Sequence, residues 1–203
     1  MRTSTWILAG LLLSRFATAA VTGADAPDFT AKDSKGKTVK LSDYKGKTVV
    51  LEWMNYGCPF IKKHYGSGNM QKLQADATKQ GVVWLSVISS AEGKEGASTP
   101  ASAEADRKEH HSNATAVILD SKGVVGRAYS AKTTPHMFVI DPAGKLVYQG
   151  AIDDKASADQ ADVKTAHNYV RDVLAAEAKA TAERKPAAIA VAETQPYGCS
   201  VKY

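Results

Sequence analysis

Thr48-Val49-Val50-Leu51-Glu52-Trp53-Met54-Asn55-Tyr56-Gly57-Cys58-Pro59-Phe60-Ile61-Lys62-Lys63-His64-Tyr65 is the stretch from which the fold is read. Residues 48–54 are a nearly continuous apolar run of strand length, the pattern of a strand buried on both faces. Cys58 follows, then Pro59, which is favoured at the first helical position, then helix-compatible residues through Tyr65. This order of strand, cysteine, proline and helix puts Cys58 at a helix N-terminus, where unpaired N–H groups and the helix dipole stabilise a thiolate. Lys62 and Lys63, one turn onward, are expected to add favourable charge near the sulfur.

Downstream, Gly66-Ser67-Gly68 breaks the helix, Asn69 to Gln80 resumes it, and Gly81 stops it. Val82 to Ile88 reads as a second buried strand, followed by a polar loop over 89–100 and a helix over about 101–111. Thr115 to Leu119 gives a third strand and Lys122 to Tyr129 a short helix. His136 to Ile140 is a fourth strand, turned by Asp141-Pro142-Ala143-Gly144 into Lys145 to Gln149 as a hairpin. Upstream, Asp28 to Thr30 and Thr38 to Leu41 flank the turn residues Asp33-Ser34-Lys35-Gly36, which predicts an N-terminal hairpin. From about Ala158 to Arg184 one long helix is expected, with Val163, Ala166, Val170 and Leu174 along one face. Strands alternating with helices, and a final antiparallel pair, predict an α/β fold: a mixed central sheet, helices on both faces, and the hairpin as an N-terminal extension.

The chain has 203 residues, 44% of them apolar and 23% charged, values of a single globular domain that exclude a collagen, a disordered chain or a multi-span membrane protein. Arg2, the apolar run Trp6 to Leu13 and the small residues Ala17-Thr18-Ala19 have the layout of a secretory signal, with cleavage after Ala19 or Ala20. The apolar run is short of the roughly 20 residues of a membrane-spanning helix. The expected organisation is a signal peptide over 1–20, one globular domain over 21–184 and a tail over 185–203 carrying Cys199. The mature protein is then periplasmic or secreted, with no integral membrane segment. Without Arg2 and Arg15 there are 24 basic residues against 21 acidic, a net charge of +3. Lys32, Lys35, Lys37, Lys40, Lys45 and Lys47 are scattered through turn-rich sequence, which speaks for a solvated face and against nucleic acid as a partner.

Two cysteines, Cys58 and Cys199, carry the chemistry, and export places them where a disulfide persists. The chain resembles the redoxins, thioredoxin-fold proteins of the alkyl hydroperoxide reductase and thiol-specific antioxidant group, which includes the peroxiredoxins. The resemblance rests on Ala26-Pro27-Asp28-Phe29, Lys45-Gly46-Lys47, the strand ending Glu52-Trp53, Cys58 at the following helix start, and Thr134-Pro135 before an apolar strand. Asn55-Tyr56-Gly57-Cys58-Pro59-Phe60 and Tyr197-Gly198-Cys199-Ser200-Val201-Lys202-Tyr203 are most similar to a peroxiredoxin-like branch of exported bacterial redoxins. The resemblance implies a thiol oxidoreductase, a cis bond at Pro135 facing the active cysteine, and no cofactor.

Thioredoxins place a second cysteine three residues after the first, where this chain has Ile61; peroxiredoxins place a threonine three before and a proline seven before, where it has Asn55 and Leu51. Asn55 remains a candidate hydrogen-bond donor to a peroxide, and Arg127 a cation for a thiolate or peroxide. Cys199, on a tail expected to be mobile, is the candidate resolving thiol or the other half of a static staple. The leading expectation is reduction of peroxides through Cys58, at the expense of an unidentified thiol reductant. Thiol-disulfide exchange with exported partners is the first alternative. A metal-binding module using Cys58, His64, His136 and Cys199, or an interaction domain with a structural disulfide, is the other.

Overall fold

The computed structural model describes residues 20–203, so all but the last residue of the expected signal peptide lies outside the described residues. In chain order the strands and helices are β1 (Thr30–Lys32), β2 (Thr38–Lys40), β3 (Val49–Trp53), α1 (Pro59–Gly66), α2 (Asn69–Lys79), β4 (Val83–Ile88), α3 (Pro100–Glu109), β5 (Ala116–Leu119), α4 (Val124–Ala128), β6 (Thr133–Thr134), β7 (His136–Ile140), β8 (Leu146–Gly150), α5 (Tyr169–Glu183) and β9 (Cys199–Ser200). The central sheet runs β5-β4-β3-β7-β8. Strands β3, β4 and β5 are parallel, while β7 is antiparallel to β3, and β8 to β7. This is the expected mixed α/β sheet. Every residue of β3, β4 and β7 is buried, as expected of strands that are apolar but for Glu52, Ser86 and His136.

Alternation along β3 divides the core in two. Val50 packs with Ile61, Tyr65, Met70, Leu73, Trp84, Val170 and Val173, beneath α1, α2 and α5. Val49, Leu51 and Trp53 face the other way, against Phe29, Val39, Leu41, Val125 and Tyr129, beneath the β1–β2 hairpin and α4. Among the described residues no helix is long and apolar enough to cross a membrane.

The long helix expected from Ala158 is interrupted. Residues Gln160–Lys164 form a 3-10 turn started by Asp159, whose side chain accepts from the Ala161 N–H, and α5 begins afresh at Tyr169. Asn168 ends the earlier segment by capping α5, its Oδ1 accepting from the Arg171 N–H at 2.9 Å. Val163 and Ala166 therefore lie outside the helix, and the buried face is Val170, Val173, Glu177 and Ala180. The N-terminal hairpin also sits two residues later on its first strand than expected, because Asp33 accepts from the N–H groups of Lys35 and Lys37 and so centres the turn.

One polar group sits deep in the helix-covered half of the core. Glu52 is fully buried, and its carboxyl oxygens accept from Trp84 Nε1 (2.7 Å), Gln74 Nε2 (3.0 Å), Ser86 Oγ (3.0 Å) and Tyr65 OH (3.2 Å). Burial raises its pKa, and these four donors pull against that rise without cancelling it. Glu52→Leu keeps the apolar volume but leaves buried donors without an acceptor, at roughly 1–3 kcal/mol for each one unsatisfied. That loss is a large part of a typical domain stability of about 5–15 kcal/mol. A melting temperature or urea midpoint close to wild type would contradict this account of the core.

Candidate active site

Cys58 is the N-cap of α1, with extended backbone angles and Pro59 as the first helical residue. Its N–H donates to the Asn55 carbonyl at 2.9 Å, and its carbonyl accepts from the Lys62 N–H at 2.9 Å. The turn 55–58 thus feeds directly into the helix. Cys58 is fully buried. Its Sγ lies 3.0 Å from the carbonyl oxygen of Thr134 and 2.7 Å from Sγ of Cys199, both cysteines being free thiols. The Thr134–Pro135 bond is cis.

Three separate parts of the chain therefore meet at one sulfur. The third, the tail, is held by backbone pairing: β9 runs antiparallel to β6, with Cys199 opposite Thr134. Gly198 makes the close approach possible, since its φ of +144° is rarely adopted by other residues and a Cβ there would collide with the Thr134 carbonyl. Beyond Cys199, the Val201 N–H donates to Lys132 (3.0 Å), the Lys202 carbonyl accepts from Ala91 (2.8 Å) and Tyr203 OH donates to Ala131 (2.8 Å). Before it, the Thr194 N–H donates to Gln149 (3.1 Å), and Thr194 Oγ1 accepts from Ala151 (2.9 Å). The tail expected to be mobile is instead a strap fastened on both sides of Cys199.

Burial pushes the Cys58 thiol up, but hydrogen bonds to the thiolate from the Cys199 and Thr134 side chains and from the Ile61 and Cys199 N–H groups outweigh it, so its pKa falls below the ordinary cysteine value. Burial and the neighbouring Cys58 charge push Cys199 the other way, to about 12. The pair thus has one sulfur that gives up its proton readily and one that keeps it.

The remaining expected site residues are occupied elsewhere. Asn55 Oδ1 accepts from the Gly57 N–H at 2.9 Å, which shapes the turn before Cys58. Arg127 donates to the Lys122 carbonyl at 2.6 Å and lies 4.8 Å from the Tyr203 ring centre, and no hydrogen bond joins it to Cys58. Lys62 is exposed, and Lys63, expected near the sulfur, is fully buried and forms an ion pair with Asp153 at 3.3 Å. His64 hydrogen-bonds Asn69 through Nδ1 (2.9 Å), and burial, opposed by Asp153, lowers its pKa to about 4. His136 Nδ1 accepts from the Lys132 N–H (3.3 Å), and burial holds it near 3. Both are neutral at pH 7. Among the described residues no group of three or more His, Cys, Asp or Glu side chains is arranged to hold a metal ion. The Thr134 carbonyl, Asp153 and Tyr197 belong to this neighbourhood without being site candidates by sequence; Thr134 and Tyr197 carry a hint through the motifs Thr134-Pro135 and Tyr197-Gly198-Cys199, and Asp153 carries none.

Titration of the reduced protein by ultraviolet thiolate absorbance should release a first thiol proton below the free-cysteine value of about 8.5. Cys199→Ala, which removes the S–H donor, should move that step upward. A wild-type step at or above the free value would refute thiolate stabilisation by α1 and Cys199.

Comparison with known proteins agrees with this architecture. The thiol-disulfide oxidoreductase ResA of Bacillus subtilis (strain 168) is 29% identical over 132 residues, which span 62% of this chain and 64% of that protein. The protein of the same name from Geobacillus kaustophilus (strain HTA426) is 30% identical over 136 residues, 64% of this chain and 68% of its own. The chain thus spans a little under two thirds of the Bacillus relative's length. A crystal structure of an uncharacterized conserved protein from Geobacillus kaustophilus superposes with a TM-score of 0.72 at 23% identity, over 90% of this chain and 92% of that one, a likeness of fold. Residues 22–149 match the AhpC/TSA family, and the chain belongs to that family.

Proposed function

We propose that this protein is a thiol-disulfide oxidoreductase in which Cys58 is the attacking thiol and Cys199 the resolving one. The observation that carries this reading is the 2.7 Å separation of the two sulfurs, with the low-pKa sulfur at the start of α1 and the proton-holding sulfur on the tail. The Cys58 thiolate attacks one sulfur of a substrate disulfide, forming a mixed disulfide and expelling the other half as a thiolate. Cys199 gives up its proton and attacks Cys58 Sγ, forming the Cys58–Cys199 disulfide and expelling the second half. Two electrons and two protons pass from the cysteine pair to the substrate, and a thiol reductant restores the pair. Because Cys58 is fully buried, the segment carrying Cys199 must move aside to admit the substrate, a local opening of a two-residue strand.

Disulfides are favoured over peroxides as the substrate class. Neither candidate peroxide ligand is joined to Cys58: Asn55 Oδ1 accepts from the Gly57 N–H, and Arg127 donates to the Lys122 carbonyl beside the Tyr203 ring. The curated relatives are thiol-disulfide oxidoreductases by name. Pro135 follows Thr134, whose carbonyl accepts from the Cys58 thiol at 3.0 Å, and so lies beside the proposed site. We further propose the division into a signal over 1–20, a domain over 21–184 and a tail over 185–203, with an extracytoplasmic location.

Cys199→Ser should melt within about 1 kcal/mol of the reduced wild type, because the other ties of the strap remain. Treated with glutathione disulfide, it should accumulate one glutathionyl group on Cys58, whereas Cys58→Ser should acquire none on Cys199. A Cys199→Ser protein that stays unmodified by glutathione disulfide but consumes hydrogen peroxide at the wild-type rate would overturn the exchange reading in favour of a one-cysteine peroxidase.

A further inference from the structure

Lys63 and Asp153 form a charge pair that is almost wholly withdrawn from water, an arrangement whose desolvation cost is offset only by close geometry and further hydrogen bonds. The further bonds are informative. Lys63 Nζ donates to the Lys155 carbonyl at 2.6 Å, and Tyr197 OH donates to Asp153 Oδ1 while lying 3.4 Å from Lys63 Nζ. The Tyr197 ring is also packed against Phe60, centre to centre 5.7 Å and steeply inclined, and 5.5 Å from Lys63 Nζ. Among the described residues Asp153 Oδ2 has the Lys63 ammonium at 3.3 Å but no hydrogen-bond donor, and Oδ1 takes Lys63 Nζ, the Lys155 N–H and the Tyr197 hydroxyl, so the hydroxyl is one of few donors this buried carboxylate has.

The placement of these groups along the chain matters. Helix α1 carries Cys58 at its start and Lys63 five residues later, and the tail carries Tyr197 and Cys199 two residues apart. The same two segments are therefore tied twice, once through Tyr197 to the Lys63–Asp153 pair and once through the two sulfurs.

We infer that Tyr197 is a positioning residue for the cysteine pair: its hydroxyl, anchored on the Lys63–Asp153 pair, raises the effective concentration of Cys199 at Cys58. This inference rests on the two-cysteine exchange proposed above. Its quantity is the equilibrium with glutathione, in which the disulfide of glutathione disulfide breaks, the Cys58–Cys199 bond forms, and the two thiol protons end on two glutathione molecules. A tie that favours the closed arrangement favours the internal disulfide in proportion.

The test is to equilibrate wild type, Tyr197→Phe and Tyr197→Ala in a series of glutathione buffers, quench with acid, and measure the fraction carrying the internal bond. The phenylalanine variant removes only the hydroxyl; the alanine variant covers the case in which the phenylalanine protein does not fold. Circular dichroism identifies the folded variants. A lost hydrogen bond to a buried charged group should lower the equilibrium constant for internal disulfide formation about tenfold. The first thiol proton should also come off at higher pH, because the Cys199 S–H is no longer held against Cys58. A folded variant with the wild-type constant and titration overturns the role of Tyr197. Wild-type protein that forms no internal disulfide at any buffer ratio overturns the exchange function itself, a failure visible without any variant.

Discussion

The Cys58 sulfur lies where a helix start, the Thr134 carbonyl and the tail strand converge, and much of the architecture serves to bring those three together. Strand β3 delivers the turn 55–58, β7 delivers the Thr134–Pro135 corner beside it because the two strands pair antiparallel, and the tail then crosses that corner. The pairing of β3 with β7 sets Trp53 opposite His136, so the ends of both strands open toward the same place. A register shift there would send alternate side chains to the wrong half of the core and carry Cys58 away from Thr134. The reactivity of the thiol is in this sense a property of the sheet.

The same geometry couples reactivity to access. The groups that lower the Cys58 pKa include the Cys199 thiol and N–H, which belong to the segment that covers it. When the tail lifts to admit a substrate, the sulfur becomes reachable and loses part of the stabilisation of its thiolate, keeping the contribution of α1. When the tail returns, Cys199 arrives as the attacking group. A proton retained on Cys199 until that moment keeps the pair from carrying two negative charges at once, which the buried site would penalise.

The central strands, the helix start at Cys58 and the closing hairpin were legible in the sequence because each is a local pattern: apolar runs, a proline after a cysteine, a four-residue turn. What escaped was nonlocal. By sequence Lys63 is a charge for Cys58, but its partner Asp153 comes from 90 positions away, and no periodicity announces such a pairing. Asn55 and Arg127 were candidate peroxide ligands by residue type, whereas the folded chain uses Asn55 to close a turn and stacks Arg127 over the tail's last tyrosine. The long helix after Ala158 is broken by the caps Asp159 and Asn168, and strong helix formers on either side concealed that break. The tail looked mobile because its composition is loop-like; its order comes from backbone pairing with β6 and from side-chain ties that only the folded chain supplies.

The central claim is that Cys58 and Cys199 act as one dithiol, and peptide mapping of the oxidised wild-type protein tests it most directly. After brief treatment of the reduced protein with glutathione disulfide and acid quenching, the account expects an intact mass lower by two hydrogens and a cross-linked peptide pair containing Cys58 and Cys199. A protein that instead carries glutathione stably on Cys58 with Cys199 still free, or that keeps both thiols unmodified, would contradict it.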